Sequence, residues 1–276
     1  MRVQSTDGVS VAVHDLGGSG PPLIICHATG FCGGAYIPFA ERLASDRHVW
    51  AIDFRGHGDS TVPDGERFDW DGAADDLQAV LAELTDEPID SIGHSMGGAA
   101  LMLVEARAPG TLRSSYLYEP IVVPAGSRPP MIENPLADAA RRRRAEFPSK
   151  AEALYRYATK TPLRVLNAAA LAMYVEHGFE ELPDGSARLK LAPAHEAAVF
   201  EATGKATLET LASIETPVAV AIGVIEEMRP AAWGPAVADA LVNGRLVSFP
   251  TLGHFGPLED PSGVGASVLE FLGSLA

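Results

Sequence analysis

The chain has 276 residues and a formal net charge of −15, with 36 acidic against 21 basic side chains. This acidity disfavours nucleic acid as a partner, because binding to a phosphate backbone needs a basic surface. An apolar content of 47% and a charged content of 21% are ordinary for a globular protein, and the length suffices to bury one large core.

Targeting signals are not evident in the sequence. The first eight residues, MRVQSTDG, contain no basic segment followed by an apolar one, which is the pattern of a secretion signal. No apolar run approaches the ~20 residues that a membrane-spanning helix needs. Cys26 and Cys32 form no C-x-x-C pair, so we expect free, buried thiols in a reducing compartment. These features predict a cytoplasmic protein without a membrane partner.

Short apolar runs alternate with amphipathic segments in the first half of the chain. Continuous apolar runs predict strands, and apolar residues at helical spacing predict helices. The predicted order is strand 9–15, strand 23–26, helix 35–44, strand 48–52, helix 69–84, strand 89–92, helix 99–108 and strand 116–123. This alternation implies an α/β fold, with a mostly parallel sheet flanked by helices.

The pattern changes between residues 124 and 213, where prolines interrupt helical segments and no strong strand is evident. It resumes with strand 217–223, helix 231–241, strand 245–249 and helix 262–272. Both ends of the middle segment adjoin strands of the same predicted sheet. We therefore interpret residues 124–213 as a helical cap inserted between residues 1–123 and 214–276 of the α/β core.

Ser95 lies between two glycines, Gly93 and Gly97, where a predicted strand gives way to a predicted helix. A sharp turn of this kind needs small residues two positions before and after its apex, because a side chain there would strike the neighbouring backbone. The turn also directs the first amides of the helix towards any group that reacts at the apex. Ser95 is therefore the candidate nucleophile.

His254 is the candidate base for this serine, whose hydroxyl is a weak nucleophile until its proton is removed. It follows the predicted strand 245–249 on a loop with glycine at 253 and 256. Loops at the C-terminal ends of parallel strands are where α/β sheets gather their functional groups. The chain contains eight histidines, and His254 has the position that catalysis requires.

Three glutamates are candidates for the carboxylate that orients this histidine and stabilises its protonated form. Glu226 follows Gly223 by three residues, just beyond a predicted strand, and is the preferred choice. Its neighbour Glu227 is one alternative. Glu119, which follows residues 116–118 on the preceding predicted strand, is the other. The two that do not serve are expected to be solvated or to cap helices.

With Glu226 as the acid, nucleophile, acid and histidine follow one another in the order of the α/β-hydrolase fold. Residues 27–31, HATGF, and residues 53–60, DFRGHGDS, resemble further signatures of that family. The whole chain thus resembles a capped, esterase-like member of the α/β-hydrolase superfamily with a serine nucleophile. It departs in two places. The family usually has His-Gly where this chain has His27-Ala28, and more often has aspartate at the position assigned to Glu226.

An oxyanion hole is expected beside the nucleophile. The amide of Met96, the residue after the nucleophile, is one expected donor. The family register points to Thr29 as the other, with Gly30 or Phe31 as alternatives. Such donors stabilise the negative charge that develops on a carbonyl oxygen under attack.

The sequence predicts a hydrolase of small or medium carboxylic esters, including lactones or thioesters, that forms an acyl-enzyme on Ser95 with His254 as general base and acid. No cofactor is expected. The predicted substrate-lining residues are Phe31, Cys32, Tyr36 and Phe255. The alternatives are a carbon–carbon bond hydrolase of ring-fission products and a non-catalytic, ligand-binding member of the fold.

The remaining histidines and arginines receive structural interpretations. His94 is expected to form hydrogen bonds beneath the turn, His27 to order the oxyanion loop, and His57 to brace a turn with Arg55. No set of residues has metal-ligand spacing, so no metal is expected. Residues 141–144 are four consecutive arginines, which spread around a helix. We interpret them as a solvated face paired with carboxylates, with recognition of an anionic substrate as the alternative.

Overall fold

The computed structural model describes residues 1–123, 134–225 and 230–275. Its strands are β1 (Arg2–Gln4), β2 (Ser10–Gly18), β3 (Pro22–Cys26), β4 (His48–Asp53), β5 (Ile89–His94), β6 (Leu112–Tyr118), β7 (Val122–Val123), β8 (Glu146–Phe147), β9 (Phe179–Glu181), β10 (Ala187–Leu189), β11 (Ala206–Thr207), β12 (Val218–Ile222) and β13 (Gly244–Ser248).

The α-helices are α1 (Ile37–Ala40), α2 (Trp70–Leu84), α3 (Met96–Arg107), α4 (Pro135–Arg141), α5 (Lys150–Thr159), α6 (Ala168–Gly178), α7 (Pro193–Glu201), α8 (Leu208–Leu211), α9 (Pro230–Ala240), α10 (Gly256–Glu259) and α11 (Pro261–Gly273). Short 3₁₀ turns lie at Gly33–Tyr36, Asp64–Glu66 and Leu163–Val165.

Eight strands form one sheet in the order β1-β2-β4-β3-β5-β6-β12-β13. β2 is antiparallel to its neighbours β1 and β4, and the remaining pairs are parallel. Every residue of β5 and β12 is buried, as expected for strands covered on both faces. The predicted mostly parallel sheet is confirmed, and its parallel strands all end at one edge.

Helices cover both faces of this sheet. On one face α2, α3 and α9 pack in a common apolar core that includes Leu77, Leu101 and Val237. On the other face α1 and α11 contribute Phe39 and Phe271 to a second core. Side chains of the middle segment belong to both cores, for example Val199 to the first and Phe147 to the second.

The middle segment lies between β6 and β12, which are neighbours in the sheet. Within residues 134–211 the structure describes no strand of that sheet. The helices of the segment, α4 to α8, accompany a small antiparallel sheet in the order β8-β10-β9. The sequence predicts no strong strand here. Strands of two or three residues are too short to produce a recognisable alternation.

The other predicted elements lie close to the observed ones, with a few differences. β1 and α10 are not predicted, the predicted helix 35–44 is a 3₁₀ turn followed by one turn of α-helix, and the predicted strand 116–123 is divided into β6 and β7. The division occurs at Glu119, whose φ of 43° is incompatible with an extended strand. Cys26 and Cys32 are free and buried, as expected. In the part of the chain that the structure describes, no helix has the length and apolarity to cross a bilayer.

Candidate active site

Ser95 occupies a strained turn between β5 and α3. Its φ is 55° and its ψ is −113°, a conformation that costs free energy for any residue with a side chain. A Cβ at Gly97 would lie 2.1 Å from the carbonyl oxygen of Cys26, so this position requires glycine. The Ser95 amide donates to the Tyr118 carbonyl at 3.0 Å, and the Ile121 amide donates to the Ser95 carbonyl at 3.2 Å. These bonds hold the turn against the end of β6.

His254 lies on the loop after β13 and forms a short hydrogen bond with Glu119. The distance from His254 Nδ1 to Glu119 Oε2 is 2.6 Å. The carboxylate is 2% exposed, whereas the imidazole is 23% exposed. Glu119 Oε1 accepts a second hydrogen bond from the Gly223 amide at 2.9 Å. Both carboxylate oxygens are therefore engaged in hydrogen bonds. The bond to Nδ1 orients the imidazole of His254, and Nε2 takes no part in it.

This contact changes the choice of acid. Glu226 and Glu227 lie outside the described residues, and the Nδ1 atom of His254, which forms one in-plane hydrogen bond, already has Glu119 as its partner. We therefore replace Glu226 with Glu119 as the candidate acid. Because β6 and β12 are adjacent, the ends of both strands lie near His254, and the sequence alone did not separate them. The chain order of nucleophile, acid and histidine is unchanged.

The loop that carries His254 is braced on two sides. Glu259 Oε1 accepts hydrogen bonds from the amides of Gly253 and Phe255, at 3.1 and 3.0 Å. Tyr118 Oη donates to the Gly253 carbonyl at 2.9 Å. Sequence reasoning did not identify Glu259. The signal available in the sequence was a carboxylate five residues after the histidine.

A buried hydrogen-bond relay connects three loops of the site. The Ala28 amide donates to Tyr36 Oη at 3.2 Å, Tyr36 Oη donates to His94 Nδ1 at 2.7 Å, and His94 Nε2 donates to the carbonyl of His254 at 2.7 Å. A carbonyl oxygen only accepts, so His94 carries its hydrogen on Nε2 and the direction of the whole relay is fixed. Burial holds the pKa of His94 well below its usual value.

Two backbone amides beside Ser95 are candidates for the oxyanion hole. The amides of Gly30 and Phe31 are already used, by His57 Nε2 at 3.2 Å and by the Ala28 carbonyl at 3.1 Å. Among the described residues, the amides of Thr29 and Met96 find no acceptor. The side chains of these two residues are in contact, with Thr29 Oγ1 3.4 Å from Met96 Sδ. Of the three residues considered in the loop, Thr29 fits the available geometry.

His27 and His57 are neutral structural groups. His27 Nδ1 donates to the Ala28 carbonyl at 2.8 Å, and His27 Nε2 accepts from the Phe54 amide at 3.0 Å. His57 Nδ1 donates to the Arg55 carbonyl at 3.0 Å. Burial lowers the pKa of both imidazoles, that of His57 to about 3. They order the oxyanion loop and its neighbouring turn, as their positions in the sequence suggested.

The predicted lining residues divide into two groups. Phe31 lies between the rings of Tyr174 and Phe255, with centroid separations of 5.1 and 5.5 Å. Cys32 and Tyr36 are fully buried, and the Tyr36 hydroxyl belongs to the relay. The structure therefore places Tyr36 beneath the turn and not on a surface that a substrate could reach.

His14, Asp53 and Asp59 bring ligand atoms within 4.8 Å of one another, the spacing of a metal site. Protein partners account for their contacts. Asp53 bonds His14 Nε2 at 2.8 Å and the Gly33 amide at 2.6 Å, while Asp59 pairs with Lys190 at 2.6 Å. Burial raises the pKa of Asp53, but the hydrogen bond to His14, the charges of His14 and His27 and the Asp59 amide together outweigh burial and lower the pKa to about 2. The group forms a network of ion pairs and hydrogen bonds.

The site combines a strained serine turn, a histidine–carboxylate pair and two amides that find no acceptor among the described residues, all at one edge of the sheet. The comparison with protein families agrees with this arrangement. The sequence profile described as the alpha/beta hydrolase family matches residues 23–266. The chain belongs to the alpha/beta hydrolase family. Hydrolases, including esterases, occur among its relatives and its structural neighbours.

Two curated relatives illustrate the range of this α/β-hydrolase's similarities. The bifunctional esterase/perhydrolase DCH of Acinetobacter calcoaceticus is 27% identical over 286 residues, covering 99% of each chain. The non-heme chloroperoxidase CPO-A1 of Kitasatospora aureofaciens is 32% identical over 139 residues, covering 48% of this chain and 50% of the relative. The chain thus spans half or less of the length of several curated relatives that it matches.

Solved structures agree on the fold. The crystal structure of E-2-(acetamidomethylene)succinate hydrolase has a TM-score of 0.79 at 21% identity, covering 99% of this chain and 98% of that one. At this level of identity the similarity demonstrates the α/β-hydrolase architecture, and the chemistry must be argued from the site.

Proposed function

We propose that this α/β-hydrolase is a serine esterase that cleaves small or medium carboxylic esters through an acyl-enzyme on Ser95. The observation that carries the proposal is the 2.6 Å hydrogen bond between His254 Nδ1 and the buried Glu119, on the sheet edge where Ser95 forms its strained turn. A buried carboxylate on one imidazole nitrogen leaves the other nitrogen as a base. The similarity to an esterase/perhydrolase over 99% of the chain supports the same chemistry.

The reaction follows from this arrangement. Ser95 Oγ attacks the carbonyl carbon while His254 Nε2 takes its proton, and Glu119 stabilises the resulting imidazolium. The amides of Thr29 and Met96 bind the oxyanion of the tetrahedral intermediate, a contribution whose loss typically costs ~10²–10³ in kcat per donor. His254 then protonates the leaving alcohol. Water, activated by the same imidazole, releases the acid and restores Ser95.

The segment between β6 and β12 serves as the cap in this proposal, spanning residues 124–213. Its support is the packing of α6 on the 3₁₀ turn Gly33–Tyr36 and of Tyr174 on Phe31, which place the segment over the oxyanion loop. The cap would supply the acyl pocket and exclude water from the acyl-enzyme. We place the enzyme in the cytoplasm, on the strength of its two free, buried thiols.

A fluorophosphonate probe tests the nucleophile directly. The wild type should be labelled, and Ser95→Ala should not be labelled, while Ser213→Ala, which changes an exposed serine distant in sequence, serves as the control. Labelling of both Ser95→Ala and the wild type would show that another residue reacts. Turnover of p-nitrophenyl esters from acetate to octanoate, compared with a vinylogous 1,3-diketone, separates ester from carbon–carbon bond hydrolysis. Cleavage of the diketone alone would refute the esterase proposal.

A further inference from the structure

The four arginines at 141–144 do not behave alike. Arg141 lies at the surface and pairs with Asp138 and Glu201, at 3.3 and 2.5 Å. The Arg144 guanidinium lies over the ring of Phe147, 4.7 Å from its centroid. Arg143 turns inwards, and its side chain is only 18% exposed. The interpretation of this run as a solvated face therefore fails for Arg143.

Arg143 is surrounded by three polar side chains from three helices. Its Nη1 lies 2.5 Å from Oε2 of Glu196 on α7. Its Nη2 donates to Tyr174 Oη on α6 at 2.5 Å and to Tyr157 Oη on α5 at 3.3 Å. A guanidinium only donates, so both phenol oxygens act as acceptors and both O–H hydrogens remain to be donated. Neither hydroxyl has an acceptor within the described part of the chain.

This Arg143 cluster (Arg143, Tyr157, Tyr174 and Glu196) borders the oxyanion loop. A Cβ placed on Gly30, whose φ is +85°, would lie 2.6 Å from Glu196 Oε1 and 3.5 Å from Arg143 Nη1. The ring of Tyr174 contacts Phe31, which in turn contacts Phe255 beside the candidate base. The cluster is thus next to Thr29, on the cap side of the loop. A substrate whose carbonyl oxygen occupies the oxyanion hole would therefore have the cluster on the adjacent side of the same loop.

The charges of the cluster select the kind of group that it accepts. The cation of Arg143 is already balanced by Glu196, so the cluster is neutral overall and offers hydrogen-bond donors without net positive charge. A substrate carboxylate would be brought close to the Glu196 carboxylate in a poorly solvated site, where like charges repel strongly. An uncharged carbonyl oxygen satisfies the phenol hydrogens without that repulsion. A purely apolar acyl chain leaves those hydrogens without partners, which costs free energy.

We propose that the Arg143 cluster is an acyl subsite that binds an uncharged carbonyl oxygen, of a ketone or an amide, carried by the acyl group of the substrate. This inference rests on the proposed esterase function, since it places the acyl group by the oxyanion loop. It names the substrate class as oxo-acyl or amido-acyl esters.

A matched set of esters tests the subsite. p-Nitrophenyl 4-oxopentanoate and p-nitrophenyl 4-methylpentanoate have nearly the same shape and differ in the carbonyl oxygen, and mono-p-nitrophenyl glutarate adds a carboxylate. The wild type should have a kcat/KM about tenfold higher for the oxo ester than for the methyl ester, the scale of one hydrogen bond to a polarised donor. Preference for the glutarate or the methyl ester would overturn the proposal.

Tyr174→Phe keeps the ring against Phe31 and removes only the hydroxyl. It should lower kcat/KM for the oxo ester about tenfold and change the methyl ester by less than about twofold. Tyr157→Phe should have the same selective effect. Tyr155→Phe is the control, since Tyr155 is on the same helix as Tyr157 but is 69% exposed. An equal decrease for both esters in Tyr174→Phe would show a merely structural role and contradict the subsite.

Binding to Ser95→Ala separates this inference from the proposed function. Calorimetry with methyl 4-oxopentanoate and methyl 4-methylpentanoate should give a Kd about tenfold lower for the oxo compound. Failure of the esterase proposal would appear as absent labelling and absent turnover in the wild type. The Kd ratio decides the subsite in either case, and equal values would refute it.

Discussion

His94 donates a hydrogen bond from Nε2 to the backbone carbonyl of His254, at a distance of 2.7 Å. The residue immediately before the candidate nucleophile thus supports the residue that carries the candidate base. Through Tyr36 the same imidazole also reaches the amide that precedes Thr29. A single buried chain of donors therefore sets the mutual position of nucleophile, base and oxyanion loop.

Replacing Tyr36 with phenylalanine should break this relay without emptying the core. The Ala28 amide and His94 Nδ1 would both lose their buried partner, at a cost of about 1–3 kcal/mol of stability. Displacement of the His254 loop should lower kcat by roughly 10–100-fold with little change in KM. Steady-state kinetics on a p-nitrophenyl ester measure both constants.

Tyr116→Phe is the matched control, because Tyr116 is also buried in the sheet and donates to Ser267 Oγ at 2.9 Å, in a pairing outside the relay. It should lose stability and retain kcat. Nitrogen-15 NMR provides a further readout, since wild-type His94 should show the hydrogen on Nε2 alone. A kcat for Tyr36→Phe equal to that of the control would contradict the positioning role.

Glu119→Gln should distinguish the acid from its rivals. The amide can donate to His254 Nδ1 and so favour the tautomer with its hydrogen on Nε2, which cannot accept the serine proton. By analogy with the corresponding change in a serine protease, kcat should fall about 10⁴-fold. Glu226→Gln and Glu227→Gln should each stay within about twofold of the wild type. A larger loss in either of these than in Glu119→Gln would return the role to that residue.

Stability should decrease on acidification because three imidazoles are buried in their neutral form. Burial lowers the pKa of His27, His57 and His94 below the ordinary ~6.5, to about 3 for His57. Below pH ~6.5 the unfolded chain therefore binds protons that the folded chain does not. Each histidine should remove up to about 1.4 kcal/mol of unfolding free energy per pH unit, until the pH reaches its folded pKa.

His14 contributes to the pH dependence of stability with the opposite sign. Its hydrogen bond with Asp53 raises its pKa, so its contribution is complete below pH ~6.5 and is lost only as the pH rises through the folded value. The free energy of unfolding, measured with urea at pH 7.0, 6.0 and 5.0, reports the contribution of the buried imidazoles. His57→Gln, which retains an acceptor for the Gly30 amide, should give a shallower dependence than the wild type. Equal stability at pH 7.0 and 5.0 would refute this account.

Gly97→Ala should destabilise the fold as well as the site. The added Cβ would lie 2.1 Å from a carbonyl oxygen of β3, so either α3 or β3 must shift, at a cost of roughly 1–3 kcal/mol. Gly273→Ala is the comparison, because a Cβ there meets nothing within 4 Å. Urea unfolding should show the loss in Gly97→Ala and little change in Gly273→Ala. The proposal of a sterically required glycine fails if the two variants are equally stable.

The sequence was most informative where local sterics decide the structure. The glycines around Ser95 predicted a strand–turn–helix unit, which the close approach of Cys26 to Gly97 explains. Strand ends were predictable because apolar runs of five or six residues are distinctive. The acid was not settled, because Glu119 and Glu226 both follow strands that prove to be neighbours. Glu119 is 135 residues from His254 in sequence, so its approach to that histidine is a tertiary property.

The direction of the side chains in the arginine run 141–144 was likewise not predictable from the sequence. Four consecutive arginines have the same local pattern, and only the packing of α5, α6 and α7 determines that Arg143 turns inwards. The hydrogen-bond relay through Tyr36 and His94 was not predictable for the same reason. Tyr36 is predicted to line the substrate pocket, whereas its hydroxyl is held by Ala28 and His94.

The pairing of β7 with β11 brings the entry and exit of the middle segment side by side, with Val122 opposite Ala206. The chain therefore leaves the α/β core and returns to it at a single pair of two-residue strands. Ser95, Glu119 and His254 all belong to the core on either side of this segment. Under the proposed function, evolution can change the segment that selects the substrate while the residues proposed to break the bond stay the same.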